Sequence, residues 1–149
     1  MFVGRYVHNI DEKGRIILPA PFRRSLEEQG ADKIIVTCGL DKCLSLYTRE
    51  EWMKTIDKMK EIALSNSEVE SVIYKMCVDA AECVIDDQGR LNIPNNLKEC
   101  VSLKKEVVIV GRMNKIEIWD KGLWEVCYQE ILKSSSSEKV IQALKGLWI

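Results

Sequence analysis

Short apolar-rich runs alternate with helical patterns along this chain. Ile34 to Thr37 and Leu44 to Tyr47 read as strands around Gly39-Leu40-Asp41-Lys42, which predicts a hairpin. Val107 to Val110 and Lys115 to Trp119 do the same around Gly111-Arg112-Met113-Asn114. Pro19-Ala20-Pro21 stops an earlier strand, and Phe22 to Glu28 has the spacing of a short helix that starts at a proline. Trp52, Ile56, Met59 and Ala63 recur at helical spacing, as do Val69, Val72, Ile73, Met76, Cys77 and Ala80. Ser67-x-x-Glu70 predicts a capping box for the second of these helices. Leu123 to Lys133 predicts another helix, and Ser134 to Ser137 a flexible linker. In the tail from Glu138 to Ile149, Val140, Ile141, Leu144 and Trp148 share one helical face, expected to dock on the body or on a second subunit.

The pattern occurs twice. Asp11-Glu12-Lys13-Gly14-Arg15-Ile16-Ile17-Leu18-Pro19 returns 75 residues later as Asp86-Asp87-Gln88-Gly89-Arg90-Leu91-Asn92-Ile93-Pro94. Gly39, Leu44, Leu46, Tyr47 and Trp52 return 72 residues later as Gly111, Ile116, Ile118, Trp119 and Trp124. Two blocks in the same order, with one loop three residues shorter, indicate a duplicated and fused unit. The resulting division is a first unit at 1–53, connecting helices at 54–79, a second unit at 80–124, and a C-terminal helix and tail at 125–149. The repeat-matched Trp52, Trp119 and Trp124 are expected to anchor a core or an interface.

Composition narrows the functional classes. The 149 residues are 46% hydrophobic and 30% charged, ordinary for a globular chain, and the net charge of −1 creates no overall basic field. No apolar run is long enough to span a membrane, and no signal peptide is readable. The six cysteines are expected to be free thiols, with Cys38 and Cys43 the one pair flanking a tight turn. A zinc site lacks support, because there is no Cys-x-x-Cys and His8 is the only histidine. Neither a phosphate-binding glycine loop nor a nucleophile elbow is present, and Asp86 has a turn role, so no enzyme is expected.

In both copies of the motif, aspartate and glycine sit at the first and fourth positions of a type I turn. The turn does not explain Arg15 and Arg90. Residues 16 and 18, like 91 and 93, are apolar and expected inside, so strand alternation directs both arginines outward. Residues 1–24 hold five basic side chains (Arg5, Lys13, Arg15, Arg23, Arg24) against two acidic ones, a net +3 on an otherwise acidic chain. That is a local patch suited to phosphate. Residues 86–98 are neutral, so the first hairpin is expected to contribute more.

With the hairpin motifs, Gly39-Leu40-Asp41-x-Cys43-Leu44 and Ile116-Glu117-Ile118-Trp119, residues 1–132 resemble the MraZ family of bacterial transcriptional regulators. The resemblance implies an α+β, mainly β fold: two AbrB/SpoVT-like swapped-hairpin units forming a pseudo-two-fold β-barrel with flanking helices. It also implies a ring, commonly an octamer. Such a ring would bind short direct repeats in double-stranded DNA upstream of the division and cell-wall gene cluster, usually for repression. The family's DNA-contact motif falls on Asp11 and Arg15, and on Asp86 and Arg90. Asp87 stands where the family's second copy often carries a basic residue. Lys13 and Arg5 are expected to add to the DNA-binding set, with Asp11 orienting Arg15 rather than touching DNA. A cytoplasmic, nucleoid-associated protein is expected, with no cofactor, membrane or small-molecule partner. The alternatives are a ring-forming scaffold that does not touch DNA and an AbrB-type antitoxin.

Overall fold

The structure, a computed structural model, describes residues 1–147. The first copy supplies β1 (Arg5–Asn9), β2 (Arg15–Ile17), α1 (Ala20–Glu28), β3 (Lys33–Cys38), β4 (Leu44–Tyr47) and α2 (Arg49–Ala63). After α3 (Val69–Asp79), the second supplies β5 (Ala81–Val84), β6 (Arg90–Asn92), α4 (Asn95–Cys100), β7 (Glu106–Gly111), β8 (Ile116–Asp120) and α5 (Lys121–Ser135). A short α6 (Glu138–Ala143) follows. The architecture is α+β, with all strand pairs antiparallel.

The strands interleave the two copies. The six-stranded sheet has the order β1-β7-β8-β4-β3-β5, which is unchanged when each strand is exchanged for its repeat equivalent and the order reversed. β1 pairs with β7 and β5 with β3, so each copy lends its first strand to the other copy's hairpin. The expected pairing β3–β4 and β7–β8 is present. The strands around the Asp11–Gly14 turn behave differently: after Asp11 N donates to Arg15 O they diverge, and β2 pairs with β6 in a separate two-stranded ribbon. That divergence places Ile16 opposite Leu91, both fully buried, under the ribbon.

The closed barrel implied by the resemblance is not formed by the described residues. Their hydrogen bonds make an open sheet, with β1 and β5 at its edges, and the detached ribbon. Pro19 and Pro94 follow the three-residue ribbon strands, and the ribbon meets the chain beyond β5 and β1 only through the Ile85–Leu91 bridge and the turn hydrogen bonds of Asp86 and Asp11 among the described residues.

One face of the sheet packs against the ribbon and the short helices. Ile34, Val36, Leu44, Leu46, Ile109, Ile116 and Ile118 meet Ile16, Leu18, Leu91 and Ile93, with Phe22, Leu26 and Leu97 sealing the sides. On the other face, α2 and α3 lie against β3, and α5 against β7 and β8. The caps and aromatic pairs repeat. The Thr48 hydroxyl accepts from Glu51 N and the Asp120 carboxylate from Gly122 N and Leu123 N, each opening a fifteen-residue helix. Tyr47 and Trp52 meet edge-on at 5.7 Å, and their counterparts Trp119 and Trp124 at 5.8 Å.

Four local expectations are corrected. The Ser67 side chain does not cap α3; Glu68 holds the N-cap position, and Asn66 Oδ1 accepts from Glu68 N in the tight turn after α2. Ser134 and Ser135 complete α5 instead of forming a linker, and Ser137 caps α6 by accepting from Val140 N. α6 stops at Ala143 ahead of Gly146, whose φ is +101°, and Ile141 and Leu144 are exposed, so of the two expected docking places the chain's own body is not the one used by these side chains; Trp148 lies outside the described residues. Cys43 packs with Val108, Val110 and Trp119, whereas Cys38 lies beside Cys100. No helix among the described residues is long and apolar enough to cross a membrane.

Because Ile16 is fully buried and Ile17, its neighbour on the ribbon, is 44% exposed, their truncations separate. Ile16→Ala is expected to lower unfolding free energy by about 2–5 kcal/mol. Ile17→Ala is expected to change it by less than about 0.5 kcal/mol, both read from urea unfolding.

Candidate nucleic-acid interface

Each hairpin turn is built around one carboxylate. Asp11 Oδ1 accepts from the backbone N–H groups of Lys13 (2.9 Å) and Arg15 (2.8 Å), while Oδ2 accepts from Arg15 Nε at 2.8 Å. In the second copy, Asp86 Oδ1 accepts from Gln88 and Arg90 N–H, both at 2.9 Å, and Oδ2 from Arg90 Nε at 2.7 Å. Gly14 and Gly89 close the turns at φ +78° and +75°, conformations that a side chain strains. Aspartate therefore shapes the turn and also clamps the arginine that follows it.

The clamp leaves the working end of each guanidinium open. Nε alone faces the aspartate, and among the described residues neither Nη of Arg15 or Arg90 has a hydrogen-bond partner. The side chains are 24% and 25% exposed, more sheltered than a freely outward arginine. Ribbon register sets Arg15 opposite Asn92 and Arg90 opposite Ile17. Both arginines thus share one ribbon face as diagonal neighbours, roughly 7–8 Å apart by the usual spacing of such pairs. One chain presents both motifs side by side.

Two further cations brace the turns. Lys98 Nζ, from α4 of the second copy, donates to Gly14 O at 3.0 Å. Arg23, from α1 of the first copy, donates through Nη1 to Gln88 O at 3.3 Å. Each copy's helix braces the other copy's turn. The close approach is a second reason for glycine: a Cβ on Gly14 would meet Lys98 Nζ, and one on Gly89 would collide with the Arg23 side chain. Arg23 Nε is buried beneath the turn without a partner among the described residues. Sequence reasoning passed over Lys98 and Arg23 as contributors to the opposite motif. Their signal is the 75-residue offset itself, which makes them repeat equivalents.

Lys13 is exposed at the first tip. Arg5 lies elsewhere: Tyr6 packs toward the ribbon-side core against Phe22, so strand alternation turns Arg5 to the helical face, where it sits over the Tyr128 ring at 4.5 Å. The structure thus brings together Asp11, Lys13, Arg15, Asp86 and Arg90 and leaves Arg5 apart.

Asp41, Cys43 and Glu117 bring ligand atoms within 4.8 Å of one another. Buried Glu117 is already held by Lys115 and Arg112, both at 3.2 Å, and accepts from Trp119 Nε1. Burial pushes the Cys43 thiol far above its ordinary range and keeps it protonated. This donor set does not suit a thiolate-bound metal.

A family model described as "MraZ protein, putative antitoxin-like" matches residues 1–72 and again 76–146. The chain belongs to the MraZ family. The two MraZ matches meet within α3, so each takes one hairpin motif with its own aspartate and arginine. Membership makes this a regulator-like or antitoxin-like protein, in a family that is regulatory rather than enzymatic.

The backbone N–H of the arginine holds each aspartate below its ordinary value of 3.8, aided by the guanidinium and partly opposed by desolvation. A carboxyl depressed on folding contributes stability above its unfolded value, and that contribution disappears as pH falls through the folded one. Stability of the natural chain is therefore expected to fall as pH drops below about 4. Paired Asp11→Asn and Asp86→Asn substitutions flatten that segment, measured by urea unfolding across the range.

Proposed function

We propose that this MraZ-family chain is a sequence-specific, DNA-binding transcription regulator whose contact surface is the ribbon face carrying Arg15 and Arg90. The observation that carries the reading is the duplicated clamp, which fixes two guanidinium groups side by side with their Nη donors open. A planar fork held in that way suits a guanine edge or a phosphate oxygen pair. Asp11 and Asp86 act through the arginines, because a carboxylate beside phosphate is repelled. Lys13 adds a phosphate contact from the tip. Around the second turn, Asp87 offsets one of the cations, so the Arg15 side takes the larger share.

A single ribbon face buries little surface. The proposal therefore includes self-association into an octamer-like ring in the cytoplasm and nucleoid, with several faces engaging short direct repeats upstream of the division and cell-wall gene cluster, as a repressor. Repeated weak contacts then sum through effective concentration. Support comes from the family resemblance and from the exposed apolar side chains of α5 and α6, including Val126, Ile131 and Ile141. The division of the chain into units at 1–53 and 80–124 belongs to the same proposal. The family description favours a second reading, an antitoxin whose apolar C-terminal helices hold a protein partner.

Mobility-shift titration against the chain's own upstream DNA and a scrambled control, at two salt concentrations, tests the proposal. Arg15→Ala is expected to weaken specific binding by about 5- to 150-fold, from a loss of roughly 1–3 kcal/mol. Lys13→Ala is expected to weaken both DNAs and to lower the salt slope by about one. Unchanged affinity in Arg15→Ala removes the proposed contact, and equal binding to both DNAs removes sequence specificity.

A further inference from the structure

The six cysteines differ sharply in their surroundings. Cys43 and Cys83 are buried among apolar side chains, and Cys77 and Cys127 have no thiol neighbour within hydrogen-bond distance among the described residues. Cys38 ends β3 and is 2% exposed, whereas Cys100 ends α4 and faces solvent. Their Sγ atoms lie 2.7 Å apart across 62 residues of chain. A disulfide bond is about 2.05 Å long, so the two sulfur atoms stand about 0.65 Å beyond bonding distance.

Two charged groups from α3 border the pair. Lys75 Nζ lies 3.9 Å from Cys38 Sγ and donates to Cys38 O at 3.2 Å. Asp79 Oδ2 is 3.8 Å from the same sulfur, in place to accept its proton, and also pairs with Lys75 at 3.5 Å. Burial and the neighbouring Cys100 thiol raise Cys38 to about 11, which keeps it protonated while the exposed sulfur meets solutes first.

We infer that Cys38 and Cys100 form a reversible dithiol–disulfide site that takes a hydroperoxide as its oxidant and joins β3 of the first copy to α4 of the second. Cys100, as thiolate, attacks the outer peroxide oxygen. The O–O bond breaks, Cys100 becomes a sulfenic acid, and the remaining oxygen leaves as an alcohol, or as water when the oxidant is hydrogen peroxide. Cys38 sulfur then attacks Cys100 sulfur, its proton passing by way of Asp79 to the departing hydroxide, which leaves as water. Two thiols lose two electrons and two protons, and the peroxide gains both. The exposed member receives the oxidant and the buried one resolves it. This inference is independent of the DNA-binding reading.

The test treats the full chain with hydrogen peroxide, blocks the remaining thiols and maps tryptic peptides. Cys38 falls in the peptide from Ile34 to Lys42 and Cys100 in the peptide from Glu99 to Lys104, each with one cysteine. The expected result is a linked pair of these two peptides, a fall from six free thiols to four, a mass loss of about 2 Da, and full reversal by dithiothreitol. The melting temperature is expected to rise by on the order of 5–15 °C in the oxidised chain. Cys100→Ser abolishes the link, and Cys77→Ser leaves it intact. Cys100 recovered as sulfinic acid, or linked to any other cysteine, with Cys38 still a thiol, overturns the inference.

Discussion

In each hairpin, one carboxylate does two things at once. Asp11 and Asp86 collect the backbone N–H groups that close the turn, then hold Nε of the arginine four residues on. Turn geometry and guanidinium placement therefore rest on the two oxygens of one side chain. An arginine loses rotamer freedom when it meets a ligand; here much of that ordering is already present in the folded chain. The remaining parts of the fold hold two such turns at a set spacing.

That spacing comes from interleaving. Neither copy can bury Ile16 or Leu91 alone, since each needs the opposing ribbon strand above and the mixed sheet below. Exchange of β1 and β5 ties the outer strands of each copy to the other's hairpin. Arg23 and Lys98 extend the exchange to the tips, where each reaches a carbonyl of the opposite turn. Each turn is thereby in direct contact with a helix of the other copy.

Much of this is legible in the amino-acid order because the chain says most things twice. The 75-residue echo marked the turns and the buried parity of residues 16, 18, 91 and 93, and the 72-residue echo marked the aromatic pairs beside α2 and α5. Hidden from it were features set by long-range partner choice. A turn motif predicts that its flanking strands pair, yet β1 and β2 find different partners because burial of Ile16 against Leu91 outweighs the local ladder. The Cys38–Cys100 approach and the Lys98 brace join residues 62 and 84 positions apart, which no local pattern encodes. Four consecutive serines resembled a linker, but helix α5 continues through two of them, because serine disfavours a helix interior only weakly.

The most direct test of the clamp is a double-mutant cycle in DNA affinity using Asp11→Asn and Arg15→Ala. Asparagine keeps a carbonyl oxygen for the turn N–H groups but loses the charge that grips Nε. If aspartate acts by holding arginine, each single variant weakens binding and the double variant is no weaker than Arg15→Ala alone. Additive losses, with the double variant falling by the product of the two single effects, would contradict the account.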